Sequence, residues 1–135
     1  MNAIEILLVE DNSGDVRLSI EAFKGSNLSH HINVTQDGVE AIAFLRRNDA
    51  YSQVPRPDII LLDLNLPRKN GMEVLEEIKL DDALKDIPVI IFTSSENDVD
   101  VLLAYKNQAD AYLVKPANLS QFDLVIEAIE KLCVA

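Results

Sequence analysis

The chain has 135 residues, enough for one domain with a real core and too few for two. Its 12 basic and 23 acidic side chains leave a net charge of −11, which argues against direct nucleic-acid binding, because phosphate backbones select Lys and Arg. There is no apolar run of membrane-spanning length and no basic-then-apolar leader, and the single cysteine, Cys133, has no internal disulfide partner, so a reducing cytoplasmic setting is expected.

Strand-like and helix-like runs alternate along the chain. Ile4–Val9 reads as a buried strand, and a helix near Gly14–Lys24 follows, with Val16, Ile20 and Phe23 at helical spacing and Asp11 or Asn12 as its cap. His31–Thr35 is a short strand, and Asp37 caps a helix over Gly38–Arg47. A polar stretch with Pro55 and Pro57 leads to Ile59–Leu62, an unbroken apolar strand. The loop Leu64–Gly71 then precedes a helix near Met72–Leu80 that buries Val74, Leu75 and Ile78. Val89–Phe92 is the fourth strand, and Ser95 with Asp98 has the spacing of a capping box for a helix to about Asn107. Tyr112–Val114 is the fifth strand, and the last helix starts after Asn118, with Gln121 placed for another capping box. Its apolar stripe runs through Phe122, Val125, Ile126, Ile129, Leu132 and Cys133. Strands alternating with helices predict an α/β fold, a parallel sheet covered on both faces, in a single domain over residues 1–135 with no output domain.

Chemistry gathers where the strands end. Glu10 and Asp11 follow the first, Asp63 the third, Thr93 the fourth and Lys115 the fifth. In an open parallel sheet these ends emerge on one edge, so three carboxylates, a hydroxyl and an ammonium converge. Packed carboxylates repel one another unless a hard cation neutralises them, and an all-oxygen set suits Mg²⁺. Each residue alone reads more simply as a loop or helix cap. Their coincidence at one edge predicts a site that puts a phosphoryl group on a carboxylate.

Five stretches carry a resemblance to a known family: Leu8–Asn12, Leu61–Pro67, Gly71, Phe92–Ser95 and Tyr112–Pro116. In order and spacing they resemble the receiver domains of two-component response regulators, over nearly the whole chain. Leu64–Gly71 and Asn118–Gln121 further resemble the small stand-alone receivers paired with phytochrome-type and related sensor kinases. The resemblance implies the flavodoxin-like (βα)5 sandwich with strand order 2-1-3-4-5. It implies Asp63 as the acceptor of a phosphoryl group from a sensor histidine kinase or a histidine phosphotransfer protein. It implies Mg²⁺ held by Glu10 (through water), Asp11, Asp63 and the backbone carbonyl of Asn65. Lys115 and Thr93 then hold phosphoryl oxygens, Thr93 and Tyr112 act as the switch, and a cis peptide between Lys115 and Pro116 orients the lysine. The product is a change in affinity for a downstream protein, not turnover of an external substrate. Ala117 and Ala111 depart from the commonest pattern, where Phe and Gly often stand, and leave the chemistry untouched.

Other residues read more plainly. His30-His31 lack metal-ligand spacing and read as surface structure, Cys133 reads as packing, and Arg46-Arg47 and Arg68-Lys69 as solvated charge, the latter pair being placed to meet a kinase. Exposed apolar residues on the last two helices, with Val101 and Ala104 as candidates, offer a homodimer face. Three rival readings stand beside the receiver. A haloacid-dehalogenase-type phosphatase needs a second acid two residues after its nucleophile, where this chain has Asn65. A flavodoxin needs a Ser/Thr/Gly-rich phosphate loop where this chain has Glu10-Asp11. A docking receiver, phosphorylated rarely or never, would keep the fold and not use the chemistry.

Overall fold

An apolar run such as Ile59–Leu62, with no polar residue on either face, is stable only as a strand covered on both sides. In the computed structural model, which describes residues 3–115 and 122–133, all four of these side chains are fully buried. The elements in order are β1 (Ile4–Val9), α1 (Ser13–Lys24), β2 (His30–Thr35), α2 (Gly38–Leu45), a single 3-10 turn (Asp49–Tyr51), β3 (Ile59–Leu62), α3 (Gly71–Leu80), β4 (Val89–Thr93), α4 (Asp98–Lys106), β5 (Ala111–Val114) and α5 (Asp123–Cys133). The strands form one parallel sheet in the order β2-β1-β3-β4-β5.

The sheet separates two apolar layers. Leu7, Val9, Ile60 and Leu62 face Ala41 and Phe44 of α2, Val74, Leu75 and Ile78 of α3, and Ala104 of α4. Ile6, Leu8, Ile59 and Leu61 face Phe23 of α1 and Val125 and Ile129 of α5. Phe122 stands between the rings of Phe23 and Phe92, edge-on to both at centroid distances of 5.6 and 5.3 Å. Alternate residues of each central strand thus serve opposite layers.

Register fixes where the chain leaves the sheet. Val9 pairs with Thr35 on one side and Leu62 on the other, Leu62 with Ile91, and Thr93 with Val114. Backbone bonds carry the ladder one residue further: Glu10 N–H donates to the Thr35 carbonyl (2.9 Å), Asp63 N–H to Val9 (3.1 Å) and Lys115 N–H to Thr93 (2.8 Å). Glu10, Asp63 and Lys115 are therefore held by sheet-type bonds although each lies just past its strand.

The helix starts differ in places from the sequence reading. Asn12 caps α1, its side-chain oxygen accepting from Asp15 N–H at 3.0 Å. The start of α3 is a full capping box between Asn70 and Glu73, a pattern the sequence reading passed over. At α4 the expected Ser95–Asp98 box does not form; Asn97 is the cap and accepts from Val99 N–H at 2.8 Å. Ser95 Oγ is committed elsewhere, donating to Asp100 Oδ2 at 2.6 Å and accepting from Asn97 N–H at 3.3 Å. α2 stops at Leu45 rather than Arg47, because Arg47 takes a left-handed φ of 55° that no helix continues through. Ala104 is fully buried and drops out of the candidate dimer face, which it was expected to help form. Asn118, Gln121, Ala117 and Pro116, with the cis peptide assigned to it, lie outside the described residues.

Candidate functional site

Two close approaches set the frame of the site. α3 begins so near the end of β3 that a Cβ on Gly71 would collide with the Asp63 carbonyl oxygen and the Leu64 Cα. A Cβ on Gly38, at the start of α2, would likewise run into the carbonyl of Lys69. Only glycine fits at either position, and both helix starts press on the loop that follows Asp63. Arg68, at the tip of that loop, has a φ of 64° and is pinned by an ion pair to Asp37 at 2.9 Å.

Glu10, Asp11, Asp63 and Lys115 meet in this frame. One carboxylate oxygen from each of Glu10, Asp11 and Asp63 lies within 4.8 Å of the others. Glu10 and Asp63 are buried while Asp11 faces solvent. Asp63 Oδ1 accepts from Asn65 N–H at 3.1 Å, and its Oδ2 accepts from Lys115 Nζ at 2.9 Å. The ammonium also pairs with Glu10 and, at 2.9 Å, with Asp15 Oδ2. All three of its protons therefore have a carboxylate to meet.

The electrostatics follow from that crowding. Burial pushes the Glu10 carboxyl up to about 7, and the charge on Asp63 adds to this against the pull of Lys115. Burial also acts to raise Asp63, but the hydrogen bonds from Lys115 and Asn65 outweigh it and leave the group below the ordinary carboxylate range. Burial would lower Lys115, yet its bonds to Glu10, Asp63 and Asp15 hold it above the usual lysine value. The same surroundings therefore favour the charged form at Asp63 and the protonated form at Glu10. An oxygen-only donor set with surplus charge and one solvent-facing member fits a hard divalent cation.

Thr93 is fully buried at the end of β4, where its hydroxyl accepts from Ser95 N–H at 3.4 Å. Tyr112 is half-buried, and its hydroxyl donates to the Ser95 carbonyl at 2.9 Å. Burial raises its phenol, as do the charges of Asp100 and Asp63. The two residues assigned to switching therefore grip the same residue, Thr93 at the Ser95 N–H and Tyr112 at the Ser95 carbonyl. His31 pairs with Glu5 and His30 bonds the Leu28 carbonyl, both away from the site. Arg68 pairs with Asp37, Lys69 with Glu77, and Cys133 packs against the layer that holds Phe122. Asp15 is the site residue that sequence reasoning missed. Its only trace there is an acid four residues after Asp11, one helical turn on, which reads first as an ordinary helix-start acid.

Residues 6–127 match the response regulator receiver domain. The chain belongs to that family. It is 46% identical over 125 residues to the response regulator Rcp1 of Synechocystis sp., covering 93% of this chain and 85% of the relative. Among solved structures it is similar to the phosphorylated cyanobacterial phytochrome response regulator RcpA, at 44% identity and a TM-score of 0.89 over 99% of this chain and 96% of the other. The Mn²⁺-bound form of Rcp1 matches at 43% identity and a TM-score of 0.87, covering 98% and 96%. Fold and family are those the sequence led one to expect, and the phosphatase reading finds no support. Among the described residues no helix is long and apolar enough to cross a membrane.

Proposed function

We propose that Asp63 accepts a phosphoryl group and that Glu10, Asp11 and Asp63, with the Asn65 backbone carbonyl, hold Mg²⁺ while it does so. The observation that carries this is the bond of the buried Asp63 carboxylate to the Lys115 ammonium inside a cluster of carboxylates. An oxygen of Asp63 forms the bond to phosphorus, and the bond from phosphorus to the donor breaks, the donor leaving with its electron pair. The donor is a phosphohistidine on a sensor kinase or phosphotransfer protein. Names of the relatives favour a phytochrome-type kinase as the source. Bound Mg²⁺ would draw charge from the phosphoryl oxygens, which otherwise repel the incoming carboxylate.

The chain's own residues do the rest. Lys115, anchored through its backbone to Thr93, keeps a positive charge beside the reacting oxygens. A phosphoryl group carries about 1.5 to 2 negative charges near neutral pH and three acceptor oxygens, and it offers Thr93 a better partner than the long bond from Ser95. Thr93 turning toward it releases the Ser95 end of the loop, and Tyr112, bonded to the Ser95 carbonyl, moves with it. The result biases a two-state equilibrium that a downstream protein reads.

Intact mass after incubation with acetyl phosphate and Mg²⁺ tests this. Wild type is expected to gain one phosphoryl group, Asp63→Asn none, and chelation of the metal to abolish the gain. Gain in both proteins would place the acceptor elsewhere. A folded, metal-binding wild type that gains nothing would favour the docking receiver.

A further inference from the structure

The Lys115 ammonium sits among more carboxylates than the proposed transfer uses. Glu10 and Asp63 belong to the metal and acceptor set, whereas Asp15 belongs to neither. Its Oδ2 lies 2.9 Å from Lys115 Nζ, the same distance as Asp63 Oδ2. The lysine side chain is only 11% exposed, while that of Asp15 is 38% exposed, so a mainly buried cation is met by an acid reaching in from the first turn of α1.

That reach is built into α1. Asn12 fixes the first turn by accepting from Asp15 N–H at 3.0 Å, and its own N–H donates to Glu10 Oε2 at 3.2 Å. One turn further on, the buried Ser19 donates to the Asp15 carbonyl at 2.9 Å. Asp15 is thus held by backbone bonds at both its N–H and its carbonyl. Its side chain, with those of Leu18, Ser19, Phe92, Lys115 and Phe122, lines a small cleft between α1 and the sheet. Asp15 and Lys115 both line this cleft, and their charged ends meet at 2.9 Å.

We propose that Asp15 is a positioning residue for Lys115. Once the metal draws on Glu10 and Asp63, Asp15 is the carboxylate still free to hold the ammonium in place. A lysine head on four rotatable bonds otherwise gives up much of its freedom at the moment of reaction. Asp15 makes that ordering part of the folded state. This rests on the assignment of Asp63 and Lys115 above. An acid in the first turn also favours α1 through the helix dipole, but that effect is indifferent to what stands at position 115.

Asp15→Asn keeps the shape and removes the charge, and Lys115→Met provides the background that separates the two roles. With acetyl phosphate at saturating Mg²⁺, Asp15→Asn is expected to slow phosphoryl uptake about three- to tenfold, while metal affinity changes much less. In the Lys115→Met background the same substitution is expected to have no further effect. In parallel, the ¹⁵N resonance of the Lys115 ammonium, sharp and slowly exchanging in wild type, is expected to broaden or vanish in Asp15→Asn. Uptake as fast as wild type, or an equal slowing without the lysine, would overturn the proposal. A wild type that takes no phosphoryl group would sink the parent reading instead. The ammonium resonance then decides Asp15 alone, an unchanged signal removing its positioning role and a lost one supporting it.

Discussion

α3 and α4 each follow a strand that delivers a site residue, Asp63 from β3 and Thr93 from β4, yet they are held in opposite ways. α3 buries Val74, Leu75 and Ile78 completely, starts with a reciprocal capping box and presses Gly71 onto the Asp63 carbonyl. α4 buries only Ala104 and leaves Val99, Leu102, Leu103 and Tyr105 exposed. Its link to β4 runs through single polar bonds at Ser95. The side carrying the proposed acceptor is packed to stay still, and the side carrying the proposed switch hydroxyl is tied by contacts that are cheap to exchange. Chemistry and response are separated by packing density across two neighbouring loops.

The largest test of that contrast is truncation within each helix. Leu75→Ala is expected to cost about 2–5 kcal/mol in urea denaturation, because it leaves a cavity in a closed layer. Leu102→Ala should fall within about 0.5 kcal/mol. Comparable losses from both would end the distinction. Gly71→Ala comes next, at about 1–3 kcal/mol, since the new methyl group must push α3 off the end of β3. It should also slow phosphoryl uptake, which a substitution acting on stability alone would not do.

A pH series without divalent metal sharpens the same comparison at the acceptor side. The Glu10 carboxyl is raised from 4.5 to about 7 in the fold, so folding favours its protonated form. That stabilisation is complete below 4.5 and is lost as pH rises through about 7, with a slope of at most about 1.4 kcal/mol per pH unit. Asp63, held low, works the other way and matters only in more acidic solution. The melting temperature in chelator is therefore expected to fall between pH 5 and 8, on the order of a few degrees, and Glu10→Gln should flatten that fall. The smallest effect belongs to Ser95→Ala. Stability should change by less than about 0.5 kcal/mol. Amide exchange over residues 94–98 should nonetheless quicken, with α3 unaffected.

How far the sequence could be read follows the same divide. Apolar runs that end in an acid or a lysine mark strands running to one sheet edge, and Asp63, Glu10 and Lys115 stand at those strand ends. β5, expected to be buried, is only half-buried, because it is the edge strand and Val114 is exposed. The start of α4 misled because Ser-x-x-Asp is a spacing rule, and the Ser95 hydroxyl bonds the Asp100 side chain rather than the helix backbone. Asn70 with Glu73 went unread because Gly71 looked like part of a loop, although it opens the helix. Ala104 was assigned to the surface because α4 has no clear apolar stripe to orient it. Asp15 escaped for a deeper reason: its partner lies 100 residues away, and no local pattern announces a contact across that separation.

The spread of these residues along the chain has a consequence for how the site comes into being. Glu10 and Asp63 are brought together by pairing of β1 with β3, but the ammonium that offsets them arrives on the last strand. Until β5 docks, any partly folded chain carries the carboxylates without their counter-charge, and long-range parallel pairing forms slowly. On the proposed reading, fast uptake of a phosphoryl group then reports that the polypeptide has folded through residue 115, because a chain cut short of that lysine would lack the ammonium that speeds the transfer.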